Sequence, residues 1–407
     1  MPHRVTLPDQ AWLHRPEVAA VMAALGTARF VGGCVRNSLL GQPVDDIDIA
    51  TPLTPNEVSR AVTARGMKAI DTGAEHGTLT VVANAHPFEV TTLRRDVSTD
   101  GRRATVAFTT EWPEDAARRD FTINALYADL DGTVYDYHGG VADLQAGLVR
   151  FIGDADTRIA EDHLRILRLF RIHAWYGRGE IDAVALTASR AARDKMRFLS
   201  GERIQKEMLK LLRARAPVHA LRAMRDTHVL EEVVTGAGDL AGLSAMCQID
   251  EAHGHAPDPI LRLVLLARHA DVAAGVASRW RLSNDDRARL LGAFKLAGVL
   301  DADIAATDLG PLFYRHGARE IADQARLAWA RSPANGRWAS LLNLATSWQR
   351  PQLPIDGADV MRAGVGQGPA VGKLLGAVED WWVDAGFPDD RARALQRLQD
   401  IIAGSRS

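Results

Sequence analysis

The chain of 407 residues is 47% hydrophobic and 25% charged, with a formal net charge of -2. It can therefore bury a sizeable core and divide into two or three domains, and it carries no global basic field that would announce a nucleic-acid partner. Cys34 and Cys247 are its two cysteines, which excludes a disulfide framework and a cysteine-rich metal site. No apolar run approaches the length of a membrane span, and the opening MPHRVTLPDQAWLHRPEV has no apolar secretion core. The composition reads as a reduced, soluble, cytoplasmic protein.

In chain order, Pro16 to Leu25 predicts a short amphipathic helix that Gly26 ends. The texture then changes to β-branched runs between Gly, Pro, Asn and Asp. Strands are predicted over Arg29–Val31, Asp46–Ala50, Gly77–Val82, Pro87–Thr92 and Thr133–Asp136. Helices fit between them at Val35–Leu40 and Asn56–Arg65, the second opened by Thr54-Pro55. From Thr157 onward the periodic segments are helical, among them Ile204–Arg215, Pro259–His269, Ala288–Leu296 and Arg391–Ile402. The expected architecture is an α+β head with a mixed β-sheet and helices over residues 1–150, then an all-α remainder. That remainder divides into a neck over 151–215 and a body and tail over 216–407.

The first stretch with chemistry in it is FVGGCVRNSLLGQPVDDIDIAT, Phe30 to Thr51. In DIDIA, Asp46 and Asp48 share one strand face while Ile47 and Ile49 face the core. Two carboxylates this close repel and call for a cation, and hard oxygen ligands suit Mg²⁺ with substrate phosphates completing its shell. A bare D-x-D is otherwise a solvated turn. Here it follows Gly32-Gly33, where backbone can approach a ligand closely, and Arg36, which can make charge-assisted contacts to phosphate. Asp45 points away from Asp46 to the surface, and Cys34 reads as a small buried residue.

Three later segments add polar groups. In HPFEVTTLRRD, Glu89 is a third metal ligand, a base near an attacking hydroxyl, or a partner of Arg94. In ARRDFTINALYAD, a helical reading puts Asp120 and Asn124 on one face beside Arg119, where they either hold a sugar and a phosphate or cap the helix. In RIAEDHLRILRLFRIHAWY, Asp162, Arg165 and Arg168 recur every third residue on a helix, with Arg171 at the edge of that face. The plain reading is an amphipathic helix with ion pairs. The chemical one is a base reader: a carboxylate accepting from an exocyclic amine, beside a guanidinium donating to a ring nitrogen, admits cytosine and adenine and rejects uracil and guanine. The wrong base leaves buried polar groups unpaired.

The pattern GGxVR…DxD, followed by RRDFTxNA and EDxxR, resembles the bacterial-type (class II) tRNA CCA-adding enzymes and poly(A) polymerases of the nucleotidyltransferase superfamily. Asn37 stands where the family usually has aspartate, keeping the size and hydrogen bonding and losing a charge. The resemblance implies that Asp46 and Asp48 bind two Mg²⁺ ions, with Glu89 a third catalytic carboxylate. It implies that Gly32, Gly33, Arg36, Arg119, Arg168 and Arg171 hold the triphosphate, Asp120 and Asn124 the sugar, and Asp162 with Arg165 the base, Glu161 completing the motif. Its expected partners are the tRNA 3′ end, CTP and ATP, with no membrane and no protein partner.

Two features point within the family to CCA addition. RRDVSTDGRRATVAFTTEWPEDAARRD, Arg94 to Asp120, resembles the flexible loop of CCA-adding enzymes, with a polar turn over Ser98 to Arg103 and a strand over Thr105–Thr109. The ending ALQRLQDIIAGSRS lacks the basic run of many poly(A) polymerases. Addition of CC or A alone, a poly(A) polymerase, and an RNA-binding module on an inactive transferase fold are the alternatives. EHGTLTVV also resembles the family, with His76 either touching substrate or bonded to backbone. The run Ser189–Arg215 holds nine basic and three acidic residues, either a solvated helix face or a phosphate-contacting stripe. The glycines of DGADVMRAGVGQGPAVGKLLGAVEDWW, near Lys373, either seat RNA phosphates or turn between two helices.

Overall fold

A computed structural model describes residues 3–100, 103–236, 238–300, 304, 306–334 and 337–404. The chain forms two compact units, Met1–Ala237 with Ser278–Arg281, and Gly238–Ala277 with Leu282–Ser407.

The first unit is built on a mixed sheet with strand order β1-β10-β9-β2-β3-β6-β5-β4. Its strands are β1 (His3–Thr6), β2 (Arg29–Val31), β3 (Asp48–Thr51), β4 (Lys68–Gly73), β5 (Thr78–Ala83), β6 (His86–Thr92), β9 (Leu126–Ala128) and β10 (Thr133–Asp136). A separate antiparallel hairpin pairs β7 (Arg94–Asp100) with β8 (Arg103–Phe108). The expected polar turn there falls partly on Gly101 and Arg102, which lie outside the described residues. All pairings in the main sheet are antiparallel except β3 with β6, where Asp48 stands opposite Glu89.

Local signals set most boundaries. Helix α1 (Pro16–Leu25) starts with proline in its first turn and stops at Gly26, φ 69°. Helix α2 (Gly33–Leu39) follows Gly32, whose φ of 74° and ψ of -117° favour a residue with no Cβ. Ser38 of α2 accepts a hydrogen bond from the Trp12 indole at 3.0 Å. Helix α3 (Pro55–Thr63) has a capping box in which the Thr54 amide donates to Glu57 at 2.8 Å. Helices α4 (Trp112–Ala117) and α5 (Gly140–Ala146) complete the layer on the sheet, and Phe30, Ile49, Val81, Phe88 and Tyr127 lie in its core.

The unit continues through α6 (Ala155–Glu161), α7 (Leu164–Tyr176), α8 (Ala183–Ala192), α9 (Gly201–Leu212) and α10 (Val218–Asp226). Beyond it run α11 (Leu240–His253), α12 (Pro259–Ala267), α13 (Ala270–Arg279), α14 (Asn284–Lys295), α15 (Ala306–His316) and α16 (Ala318–Arg331). The last helices are α17 (Arg337–Ser347), α18 (Gly357–Arg362), α19 (Pro369–Asp384) and α20 (Arg391–Gly404). The second unit buries Phe313, Ile321, Trp329 and Trp338 together, and a further cluster of Val360, Val378, Ala394 and Leu398. Among the described residues no helix is long and apolar enough to cross a membrane.

Three local expectations change. Strand β3 begins at Asp48, so Asp46 precedes it in exposed coil. Residues 117–129 are not a helix, because Phe121 forms a β-bridge with Phe151, and the Ile152 amide donates to the Asp120 carbonyl at 3.1 Å. That extended pairing leaves only a 3₁₀ turn, Thr122–Asn124, before β9. The segment 158–176 is two helices, broken at Asp162 with φ -154° and ψ 107°.

Two glycines test this packing. A Cβ on Gly140 would overlap the Thr122 carbonyl oxygen, whereas one on Gly275, exposed inside α13, meets nothing within 4 Å. Gly140→Ala should lose about 2 kcal/mol or more in chemical denaturation, and Gly275→Ala should gain about 0.5–1 kcal/mol. Equal effects would contradict the packing.

Candidate active site

The carboxylates gather around the start of β3, where Asp48 stands opposite Glu89 in the middle of β6. Burial first, then the neighbouring Glu89 carboxylate, push the Asp48 carboxyl up to about 6; Asp46 adds to the rise and Arg119 opposes it. This is a hard-oxygen donor set short of positive charge, which fits Mg²⁺. Among the described residues no group of three His, Cys, Asp or Glu side chains can hold a metal by itself, so an ion here would need further oxygen ligands. Cys34 is buried under the turn, and desolvation pushes its thiol up to about 11, which suits packing and not reactivity.

Beside the carboxylates the cations are held by a connected set of partly buried ion pairs and hydrogen bonds. A Cβ on Gly32 would lie 3.6 Å from the Asn124 carbonyl oxygen and 4.0 Å from an Arg119 guanidinium nitrogen. Arg36, 8% exposed, donates to Asn124 Oδ1 at 2.5 Å and to the Tyr176 hydroxyl at 2.7 Å, and lies over the Tyr176 ring at 3.8 Å. Asn124 in turn donates to Asp120 Oδ1 at 3.0 Å. The other Asp120 oxygen accepts two bonds from Arg168, at 2.7 and 2.5 Å. Burial would raise the Asp120 carboxyl, but Arg168 and the hydrogen bonds hold it down at about 2. Arg171 donates to Glu207 at 2.5 Å, and a second Glu207 oxygen lies 3.9 Å from Arg168.

Asp115 is the second hub. It is 1% exposed and accepts from Arg118 at 2.8 Å, from Arg119 at 3.0 Å and from the Tyr127 hydroxyl at 2.7 Å. Against the opposing effect of burial, Arg119 and Arg118 draw its carboxyl down to about 2. Asp162 and Arg165 are close in the chain, but their side chains take separate partners. Asp162 accepts from the Leu164 amide at 3.1 Å and from Arg203 at 2.7 Å. Arg165 instead pairs with Glu161 and donates to the Arg158 carbonyl at 2.9 Å.

Asp115, Tyr127, Tyr176, Arg203 and Glu207 belong to the site without standing in any of its sequence motifs. Asp115 lies four residues before Arg119, a spacing the sequence displays; Arg203 and Glu207 stand in a basic run whose partners only the fold reveals. His76 offers its backbone carbonyl to Arg94.

Carboxylates on a mixed sheet beside a double-glycine turn and clamped arginines define a nucleotidyltransferase head. The Poly A polymerase head domain model matches residues 28–150, and the model described as the probable RNA and SrmB-binding site of polymerase A matches 180–237. The mitochondrial CCA tRNA nucleotidyltransferase 1 of Mus musculus is 33% identical over 387 residues, covering 91% of this chain and 86% of the relative. The CCA-adding enzyme of Limosilactobacillus fermentum is 31% identical and covers 98% of both chains. The solved CCA-adding enzyme of Bacillus stearothermophilus in complex with CTP superposes with a TM-score of 0.77 at 25% identity, covering 96% of this chain and 99% of that one. The chain belongs to the CCA-adding enzyme and poly(A) polymerase family.

Stability should record the strained carboxylate. Raising the folded-state value of Asp48 from 3.8 to about 6 means that its favourable protonated form is lost as pH rises through that window. In metal-free buffer Asp48→Asn should therefore stabilise the fold at pH 7.5 by ~1–2 kcal/mol after allowing for solvent screening, seen as a raised Tm, and leave Tm nearly unchanged at pH 3.5. A lowered Tm at pH 7.5 would contradict the assignment.

Proposed function

We propose that the protein is a template-independent CCA tRNA nucleotidyltransferase that adds C, C and A from CTP and ATP to the tRNA 3′ end, releasing pyrophosphate, in the cytoplasm. The observation that carries this reading is the buried chain Arg36–Asn124–Asp120–Arg168, which joins the glycine turn, the sugar segment and the base-reading helix into one wall. Full-length similarity to CCA-adding enzymes supports the choice of reaction.

Asp46 and Asp48, with Glu89 beside them, would hold two Mg²⁺ ions, which when bound activate the hydroxyl nucleophile and neutralise the leaving group. The protein's own residues supply position and charge. Gly32 and Gly33 let the backbone approach the triphosphate, and Arg36, Arg119, Arg168 and Arg171 surround it. Asp120 and Asn124 face the ribose. Arg36 and Arg168 are already paired, so their charge is fixed in place before substrate arrives and little reorganisation accompanies binding. Asp162 accepts from the base amine and Arg165 donates to the ring nitrogen. The head is assigned to residues 1–150, base recognition to 151–215 and tRNA binding to 216–407.

In the transfer, the tRNA 3′-oxygen forms a bond to the α-phosphorus. The α-phosphorus bond to the bridging oxygen breaks, its electron pair leaves with pyrophosphate, and the hydroxyl proton passes to water.

Transcripts ending before CCA, at C and at CC, incubated with CTP, ATP or both, should be completed to CCA. Long A-tails from ATP alone would instead identify a poly(A) polymerase. Asp46→Ala with Asp48→Ala should abolish incorporation; normal incorporation would refute the metal assignment. Asp162→Ala should admit UTP and GTP, and equal loss with all four nucleotides would refute a selective role.

A further inference from the structure

Helix α9 packs beside α7 and carries Arg203, Glu207 and Lys210 at spacings of four and three, which place them on one face. The side chains of Arg203 and Glu207, and the backbone of Lys210, meet Asp162, Arg171 and Trp175 in order. Arg203 reaches Asp162 at 2.7 Å, Glu207 reaches Arg171 at 2.5 Å, and the Lys210 carbonyl accepts from the Trp175 indole at 2.8 Å.

Glu207 is a buried carboxylate, 5% exposed, between two arginines already placed at the triphosphate. A carboxylate there holds the Arg171 guanidinium by a hydrogen bond and neutralises Arg168 from 3.9 Å, and its removal would leave Arg171 short of a partner. Lys210 differs because its head is exposed and positively charged neighbours crowd it. Desolvation, then Arg171 and Lys206, lower its ammonium from the usual lysine value, with Glu207 and Asp46 opposing. Arg168, Arg171, Lys206 and Lys210 thus outnumber Glu207 and Asp120, the carboxylates that pair with the arginines. This positive excess lies within electrostatic reach of the Asp46 carboxylate, so a polyanion between them would satisfy the cations on one side and bring its counter-ions to the other.

We propose that Lys210 contacts the β- and γ-phosphates of the bound nucleotide and then the departing pyrophosphate, while Glu207 is the positioning residue that presents Arg168 and Arg171 to the same phosphates. The proposal rests on the transferase reading above for the source of the polyphosphate. Lys210 receives the leaving group as the bond between the α-phosphorus and the bridging oxygen breaks, so it favours the product side of that step and slows pyrophosphate release.

Calorimetric binding of magnesium pyrophosphate to the full chain tests this without tRNA. Lys210→Gln should weaken binding about tenfold, with Lys210→Arg restoring most of it and Tm unchanged. In CTP and ATP addition, the same substitution should raise KM for both nucleotides alike and relieve pyrophosphate inhibition, leaving the choice of CTP over UTP unaltered. Glu207→Gln should raise KM for both nucleotides and lower kcat, again without changing base choice. Unchanged pyrophosphate binding in Lys210→Gln would overturn the Lys210 assignment, and altered base choice in Glu207→Gln would overturn its role at the phosphates. A wild-type protein that binds pyrophosphate but extends no tRNA would overturn the transferase reading and leave the phosphate site standing.

Discussion

The pocket depends on one ion pair, the buried Asp120 with the partly exposed Arg168, in which two guanidinium nitrogens meet a single carboxylate oxygen at 2.7 and 2.5 Å. The other oxygen of Asp120 is taken by Asn124 and by the Phe121 amide. Through that carboxylate the loop before β9 is tied to α7, and through Asn124 it is tied to Arg36 on α2. Elements 48 and 88 residues apart in sequence are thereby held in one arrangement. Breaking such a pair by removing one partner leaves an uncompensated buried charge, typically a loss of about 3–5 kcal/mol.

Charge is distributed unevenly around this pair. Arg118, Arg119 and Arg168 are paired with Asp115 and Asp120, whose carboxyls sit well below the usual range, so that half is settled before any substrate arrives. The β3–β6 carboxylates are the reverse: burial and mutual repulsion raise Asp48, and nearby Arg119 only partly offsets this. A metal–nucleotide complex, as proposed above, would bring cations to the unsettled side and phosphates to the settled one. Preorganised donors of this kind act without reorganisation during the reaction.

Much of the fold was legible in the sequence where local chemistry decides it. Helix α1 matches its proline start and glycine stop, and the runs Arg29–Val31 and Thr133–Asp136 match β2 and β10. Strand β4 escaped because its residues KAIDTG are mostly exposed and show no alternation, and β9 because three buried residues leave no period to read. The motifs named the pocket residues, but two spacings misled. Asp120 and Asn124 do meet, through a 3₁₀ turn instead of a helix, because bridging to Phe151 outcompetes local helix formation. Asp162 leaves the helix altogether and uses its side chain to cap the start of α7. The substituted Asn37 also acquires a reason: its oxygen accepts from Arg36 at 3.1 Å while its amide donates to the Pro43 carbonyl at 2.9 Å, and a carboxylate could not donate the second bond.

In the proposed function, protein side chains alone, held by partly buried ion pairs, would read the incoming base. The most direct measurement is calorimetric binding of each of the four ribonucleoside triphosphates with Mg²⁺ to the protein without tRNA. The account predicts that CTP and ATP bind at least about tenfold more tightly than UTP and GTP. Equal affinity for all four would contradict it.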